Sequence, residues 1–285
     1  MSATDVRKGA HVARNVAEAM EAVGRITRGW RQRWPARPVV PWFRGQADVT
    51  WKLQPTRFRG ELAAMLWEEE QSMMLDFRRA ALGLPVRTPK NWWEWAMLAQ
   101  HHGLPTRLLD WSEGALVGLY FAVCEQFDSD AALWVLDPYW LNEEAELGPV
   151  AIVPTPESLE NDFAKGYVRP YDGGRAPPRE HPIGLRPLHV TPRITAQKGT
   201  FVMFGSKDDA LERLGRADAK HPGAGLQVVK IPKAYVASML EEVELAGITQ
   251  STLFPDLEGL AREIRRGALL GVRARARGRH PTKRS

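Results

Sequence analysis

Apolar residues recur every three or four positions over residues 10–29 (AHVARNVAEAMEAVGRITRG). Val12, Val16, Ala19, Met20, Val23 and Ile26 fall near one face, and Gly29 suits a helix end, so the stretch predicts an amphipathic helix. WPARP breaks it. VVPWFRG, β-branched and aromatic, then predicts a strand, with a second short extended stretch over Trp51–Arg57. Residues 61–82 (ELAAMLWEEEQSMMLDFRRAAL) read as a long amphipathic helix. Another opens at Thr88-Pro89, with Thr as N-cap and Pro in the first turn, and runs to His101 and His102 before Gly103. LPTRLLDWS reads as a compact, non-periodic turn, with Asp110 or Ser112 capping the helix SEGALVGLYFAVCEQF. That helix is apolar on too many sides for a surface position and belongs inside the fold.

AALWVLDP predicts a further strand. Residues 141–192 are rich in Pro and Gly, with weak strand signals only around Val150–Val153, and exceed an ordinary connection; they read as an insertion, lid or substrate loop. TFVMFG and LQVVKIP predict strands, Lys233–Leu245 a helix, and TLFPDLEGLAREIRRG a turn feeding a last helix. No repeat with a period of 20–50 residues is visible. Strands and helices mixed over the whole length predict a single α+β domain over 38–272, preceded by a helix and basic connector at 1–37.

Charge refines this picture. Residues 273–285 hold six Lys/Arg and no acid, and residues 1–37 hold eight Lys/Arg against Asp5, Glu18 and Glu21. Against a whole-chain charge of +5, residues 38–272 carry −6. Both ends are basic and the body is mildly acidic. The last thirteen residues read as a disordered, solvated tail able to visit RNA, DNA or another polyanion. No run approaches the roughly 20 apolar residues of a membrane span, and the opening residues lack the apolar stretch of a secretory signal. With Cys124 as the single cysteine, no internal disulfide or cysteine-pair zinc site can form, and a cytoplasmic setting is expected.

All eleven tryptophans lie between residues 30 and 140, where most are expected in the core or in pocket walls. The densest polar cluster is QHHGLPTRLLDWS, residues 100–112. It could ligate a metal, although adjacent histidines on a helix diverge by ~100°. It could perform acid–base work. Alternatively, Arg107 and Asp110 pair to fix the loop while a histidine caps the helix end. Cys124 sits in the apolar helix, away from the electropositive niche a nucleophilic thiolate needs. The glycines of FRGQ and AQKGTFVMFG form neither a G-x-G-x-x-G nor a Walker pattern.

Taken together, PWFRGQ, LAQHHGLPTRLLDWSEGALVGLYFA, RITAQKGTFVMFG and GITQSTLFPDLEGLA resemble the FRG domain family of bacterial and phage proteins. Its Phe-Arg-Gly stands here as Phe43, Arg44 and Gly45, and the ordered match runs from about residue 10 to 266. The layout resembles the ADP-ribosyltransferase fold, which implies a split mixed or antiparallel sheet flanked by helices and NAD as co-substrate. By that resemblance Arg44-Gly45 is the first element, Asp110-Trp111-Ser112 the second and Gln197 the third. Arg44, Gln197, Asp110 and His101 are then the expected catalytic residues, and Arg44, Gly45, Gln46, Thr106, Arg107 and Ser112 the expected NAD-binding residues, with no metal. A guanidinium suits the pyrophosphate. Gly45 would let the chain approach the dinucleotide. Ser112 and His101 could hydrogen-bond ribose hydroxyls. In enzymes of that fold the third strand offers Glu or Gln at the reacting ribose; here the matching position is Gln197, a neutral amide with no acid beside it in RITAQKGTF. Either the amide suffices, or Asp110, Glu242, Glu244 or Glu258 supplies the carboxylate with Asp110 preferred, or the chain only binds. The resemblance further implies a toxin or anti-phage effector acting on a nucleic acid or protein, with an antitoxin protein as a potential partner.

Overall fold

A computed structural model describes residues 10–84, 88–125, 128–144, 166–168, 179–187, 191–209, 211–217 and 225–278. The elements in chain order are β1 (His11–Val12), α1 (Val16–Arg33), β2 (Trp42–Gln46), two 3-10 turns (Thr56–Phe58 and Gly60–Ala64), α2 (Trp67–Ala81), α3 (Trp92–His101), β3 (Leu108–Ser112) and α4 (Ala115–Val123). They continue with β4 (Ala131–Leu136), α5 (Pro138–Glu144), β5 (Ile183–Leu185), α6 (Pro192–Ala196), β6 (Gly199–Met203), α7 (Leu211–Ala217), β7 (Leu226–Ile231), α8 (Lys233–Leu245), α9 (Gln250–Leu253) and α10 (Leu257–Gly278).

The strands form one seven-stranded sheet, ordered β1-β7-β4-β2-β3-β6-β5. β1 runs parallel to β7 and the other pairings are antiparallel. The α+β architecture with helices on a single mixed sheet is therefore present. β4 explains how the core divides. All six of its residues are buried; Ala131, Leu133 and Val135 join one apolar cluster while Ala132, Trp134 and Leu136 join another. A central strand covered on both faces is apolar throughout, without the usual alternation with polar residues. The first cluster is closed by α1, α4 and α8, the second by α5, Leu53 and Phe58. A third joins α3 to β5 and β6 through Trp93, Ala96, Ile183 and Met203.

One seam interrupts the sheet. β2 pairs with β4 over five residues, but with β3 at Phe43–Ser112 alone. Beyond that pair the two strands separate. Close packing of α4 on β2 fixes the strand at this point: a Cβ on Gly45 would lie 2.2 Å from the Gly118 carbonyl oxygen and 2.2 Å from the Ala122 nitrogen. Gly45 is thus dictated by a helix backbone, where the sequence had suggested an approaching ligand.

Several sequence expectations change. LPTRLLDWS contains a strand, β3, which pairs with β6 through five residues. Trp51–Arg57 forms no strand, ending instead in a 3-10 turn. The helix expected over 61–82 breaks after Ala64, because Arg57 donates through Nη1 and Nη2 to the carbonyls of Leu62 and Met65 and ends the ladder there. Helix α3 starts three residues later than expected, with Asn91 accepting from the Glu94 N–H as N-cap. Helix α4 has Gly114 at its N-cap, and Ser112 contributes by accepting from the Gly114 N–H at 2.9 Å. The last helix reaches Gly278, into the segment expected to be a disordered tail. It turns Glu263 and Arg266 toward Thr249, Ser251 and Glu244 and leaves Leu257, Leu260 and Ile264 exposed. The strand signal at Val150–Val153 lies outside the described residues.

Candidate functional site

A cleft of about 320 Å³ opens over the seam, at the lower end of ligand-pocket sizes. Strand β2 contributes Arg44, β3 contributes Asp110, the end of α3 brings Gln100 and His101, and α6 brings Arg193. Gln197, Ser112 and Thr200 also line it, as do Cys124 and Glu125 at the end of α4.

Arg44 bridges the seam. Where β2 and β3 no longer exchange backbone hydrogen bonds, its Nη1 donates to the Asp110 carbonyl at 2.6 Å. The side chain keeps some accessible surface, but its Nε is buried with no hydrogen-bond partner. Burial brings the guanidinium down to about 10, opposed by the Asp110 carboxylate and reinforced by the neighbouring cation Arg59. It stays fully charged at neutral pH. A buried N–H of a cation left unpaired is costly, and here it lies in a residue lining a cleft. Trp111 Nε1 and Thr200 Oγ1, on residues opposite one another in the β3–β6 register, are likewise buried and unpartnered, and both residues line the same space.

Asp110 is held by a relay from the end of α3. The Thr106 hydroxyl accepts from the Leu108 N–H at 3.1 Å and donates to Gln100 Oε1 at 2.6 Å; Gln100 Nε2 then donates to Asp110 Oδ2 at 2.9 Å. This fixes the carboxylate while leaving the residue exposed to the cleft. Around it stand three guanidiniums, those of Arg44, Arg59 and Arg193. Burial lowers each below its ordinary range, and the Asp110 charge pulls each back up. Arg193 also lies 4.3 Å from the Phe254 ring centroid. His101 is lowered from its ordinary value first by burial, then by the charges of Arg193 and His102. The cleft therefore offers more positive than negative charge in a partly desolvated setting, which suits an anionic ligand carrying phosphates.

The residues expected from sequence fall into three groups. Arg44, Asp110 and His101 face one cleft. Gln46, Ser112 and Gln197 also line it, but their polar atoms serve the protein. Gln46 accepts from Trp134 Nε1 at 2.7 Å and donates to the Lys52 carbonyl. The Ser112 hydroxyl donates to the Gln197 carbonyl at 2.6 Å, and Gln197 Nε2 donates to the Leu253 carbonyl at 3.1 Å. Gln197 stands at the C-cap of α6, two residues before β6, rather than on a strand. Thr106 and Arg107 do not line the cleft. Arg107 is fully engaged elsewhere: it forms a two-pronged pair with buried Glu70, 2.8 Å from Nε to Oε1 and 2.7 Å from Nη2 to Oε2, and donates to the Gly205 carbonyl. The expected Arg107–Asp110 pair is thus replaced by Arg107–Glu70, to which Arg57 also donates.

Of the other carboxylates considered, Glu242 accepts from the Val16 N–H, Glu244 pairs with Arg266 and Glu258 with Arg262, all outside the cleft. Sequence reasoning missed Arg59, which stands outside the quoted motifs, and passed over Arg193, which opens RITAQKGTFVMFG, and Glu125 near the end of the apolar helix. Cys124 lines the cleft, but burial pushes its thiol up to about 12, which disfavours the thiolate that a nucleophile needs. Among the described residues no cluster of three His, Cys, Asp or Glu is placed to hold a metal, and no helix is long and apolar enough to cross a membrane.

Residues 40–131, from the approach to β2 through the start of β4, match the FRG domain. The matched span includes Arg44, Arg59, Gln100, His101 and Asp110; Arg193 and Gln197 come from outside it. No curated protein and no solved structure matches the chain.

Proposed function

We propose that this FRG domain protein is an NAD-dependent ADP-ribosyltransferase, acting in the cytoplasm as a toxin or anti-phage effector on a nucleic acid or protein acceptor. One observation carries the reading. A guanidinium with an unpaired buried Nε lies beside a fixed carboxylate in a cleft at the seam of the sheet. That pairing suits a co-substrate that is anionic at its pyrophosphate and becomes cationic at its ribose during reaction. Arg44 engages the pyrophosphate, with Arg59 and Arg193 adding positive charge. Asp110 faces the ribose carbon. As the bond to nicotinamide breaks, its electron pair leaves with the nicotinamide, and the Asp110 carboxylate stabilises the oxocarbenium-like ribose. The acceptor's oxygen or nitrogen forms the new bond to that carbon and passes its proton to Asp110. No oxidant or reductant is needed. Gln197 lines the same cleft as Arg44, and His101 stands at the α3 end, within reach of the Asp110 charge.

The purified protein is expected to release nicotinamide from NAD. Arg44→Ala should lower this by about 10–100-fold or more, the worth of a charge-assisted hydrogen bond. Asp110→Asn should cost about 10²–10³-fold in turnover while NAD still binds. Wild-type turnover by Arg44→Ala would overturn the assignment.

A second reading has its own support. The polar groups of Ser112 and Gln197 are already committed within the protein, as suits a module that binds a nucleotide or nucleic acid without chemistry. Calorimetry showing Arg44-dependent NAD binding, together with no nicotinamide release by the wild type, would select it.

A further inference from the structure

Beside the cleft lies a second hollow of about 580 Å³, sharing Trp51 and Arg59 with it and lined further by Lys52 and Phe58. The loop carrying Trp51 is firmly anchored. Leu53 is fully buried, its N–H donates to the Glu212 carboxylate at 3.1 Å and its carbonyl accepts from the Leu211 N–H at 3.2 Å. The Lys52 carbonyl accepts from Gln46 Nε2 at 3.3 Å. On this fixed loop Trp51 is nevertheless 44% exposed. Arg59, held through Nε by the Gln54 carbonyl at 2.7 Å, feels the Asp110 charge and so stands between the hollow and the reacting end of the cleft.

We propose that this groove binds single-stranded nucleic acid, with one base stacked on Trp51 and the flanking phosphodiesters on Lys52 and Arg59. An exposed indole stacks on any base, and cations beside it track the backbone, the two terms that recur in single-strand binding. The basic sequence at both ends of the chain adds long-range attraction for a polyanion. Because the groove shares Trp51 and Arg59 with the cleft that Asp110 lines, a base on Trp51 would stand on the side from which an acceptor reaches Asp110. The role as acceptor site rests on the transferase reading; the binding itself does not.

Fluorescence anisotropy of the full-length chain with labelled single strands of RNA and of DNA, about 12 nucleotides long, tests it. Trp51→Ala should weaken binding by about 5–100-fold and Trp51→Phe should restore most of it. Lys52→Ala should lower the slope of log affinity against log salt by about 0.7, one phosphate contact on a single strand. It should leave NAD cleavage unchanged, since Lys52 does not line the cleft. The RNA and DNA arms show which strand is preferred. Unchanged affinity of Trp51→Ala for both strands would overturn the proposal, and ADP-ribosylation of protein in an extract that is unaffected by Trp51→Ala would overturn the groove's role as acceptor site. If Trp51-dependent binding occurs but no nicotinamide is released, the groove stands and the transferase reading falls.

Discussion

The glycine of the Phe-Arg-Gly motif can be tested for what it does. As a point of ligand approach, Gly45 could take a methyl group without loss of stability, and only affinity would suffer. The packing predicts the reverse. A Cβ at Gly45 would stand 2.2 Å from the Gly118 oxygen, 2.2 Å from the Ala122 nitrogen and 2.6 Å from the Phe121 carbonyl carbon. All three are backbone atoms of one helix, so no side chain can swing aside, and α4 as a whole must shift. The opposing surface has no slack, because a Cβ on Gly118 would meet Phe43 Cβ at 2.7 Å and Leu133 Cδ1 at 2.9 Å. Overpacking costs typically 1–3 kcal/mol, and a rigid backbone neighbour puts Gly45→Ala at or above the upper end, about 3 kcal/mol. For a chain of this size that lowers Tm by about 6–12 °C. Gly29→Ala is the control: it lies within α1 with nothing within 4 Å of its added Cβ, and should stabilise by about 0.5–1 kcal/mol. Thermal and urea unfolding followed by circular dichroism read both. A Gly45→Ala protein that melts with the wild type but loses ligand affinity would refute the packing argument.

Two further outcomes follow from the buried polar groups. Glu70 is fully buried between Arg57 and Arg107, so Glu70→Gln leaves two guanidiniums short of charge and should cost about 3–5 kcal/mol in urea unfolding; an unmoved midpoint would show the hub to be dispensable. His101 is held below its ordinary 6.5 by burial, then by Arg193 and His102, so the unfolded chain binds its proton first. Its contribution is full above about pH 6.5 and is lost as pH falls through the lower folded value. His101→Gln should flatten Tm against pH in that window, and an identical profile would show that His101 does not titrate there.

Much of the fold was legible because periodicity reports burial. AALWVLDP, TFVMFG and LQVVKIP became β4, β6 and β7, and the apolar SEGALVGLYFAVCEQF became the buried helix α4. What escaped is set by contacts across the chain. β3 looked like a turn because its Asp110 and Ser112 interrupt the apolar pattern, yet one faces the cleft and the other closes a hydrogen bond to Gln197. The break after Ala64 depends on Arg57, whose guanidinium takes two carbonyls that helical N–H groups would have claimed. In α10 the pattern misleads outright. Its apolar Leu257, Leu260 and Ile264 face solvent, while Glu263 and Arg266 find partners on α9 and α8.

The site divides along the same line. A motif shows which residue types are together in sequence, but not which partner spends each polar atom. Arg107 and Asp110 lie three residues apart and looked like a pair, yet Glu70 from α2 takes Arg107 in a bidentate geometry that a carboxylate on the same strand cannot offer. That capture matters for chemistry. With Arg107 committed to Glu70, the Asp110 carboxylate is held by the neutral amide of Gln100 instead of by a guanidinium. Its charge is therefore shared among Arg44, Arg59 and Arg193, each of which it holds in the charged form against the effect of burial. In the proposed transferase, an anion entering between those three cations would compete with Asp110 for them and release the carboxylate toward the positive charge developing on the bound ligand. The buried pair at Glu70 thus sets the electrostatic freedom of the Asp110 carboxylate beside Arg44.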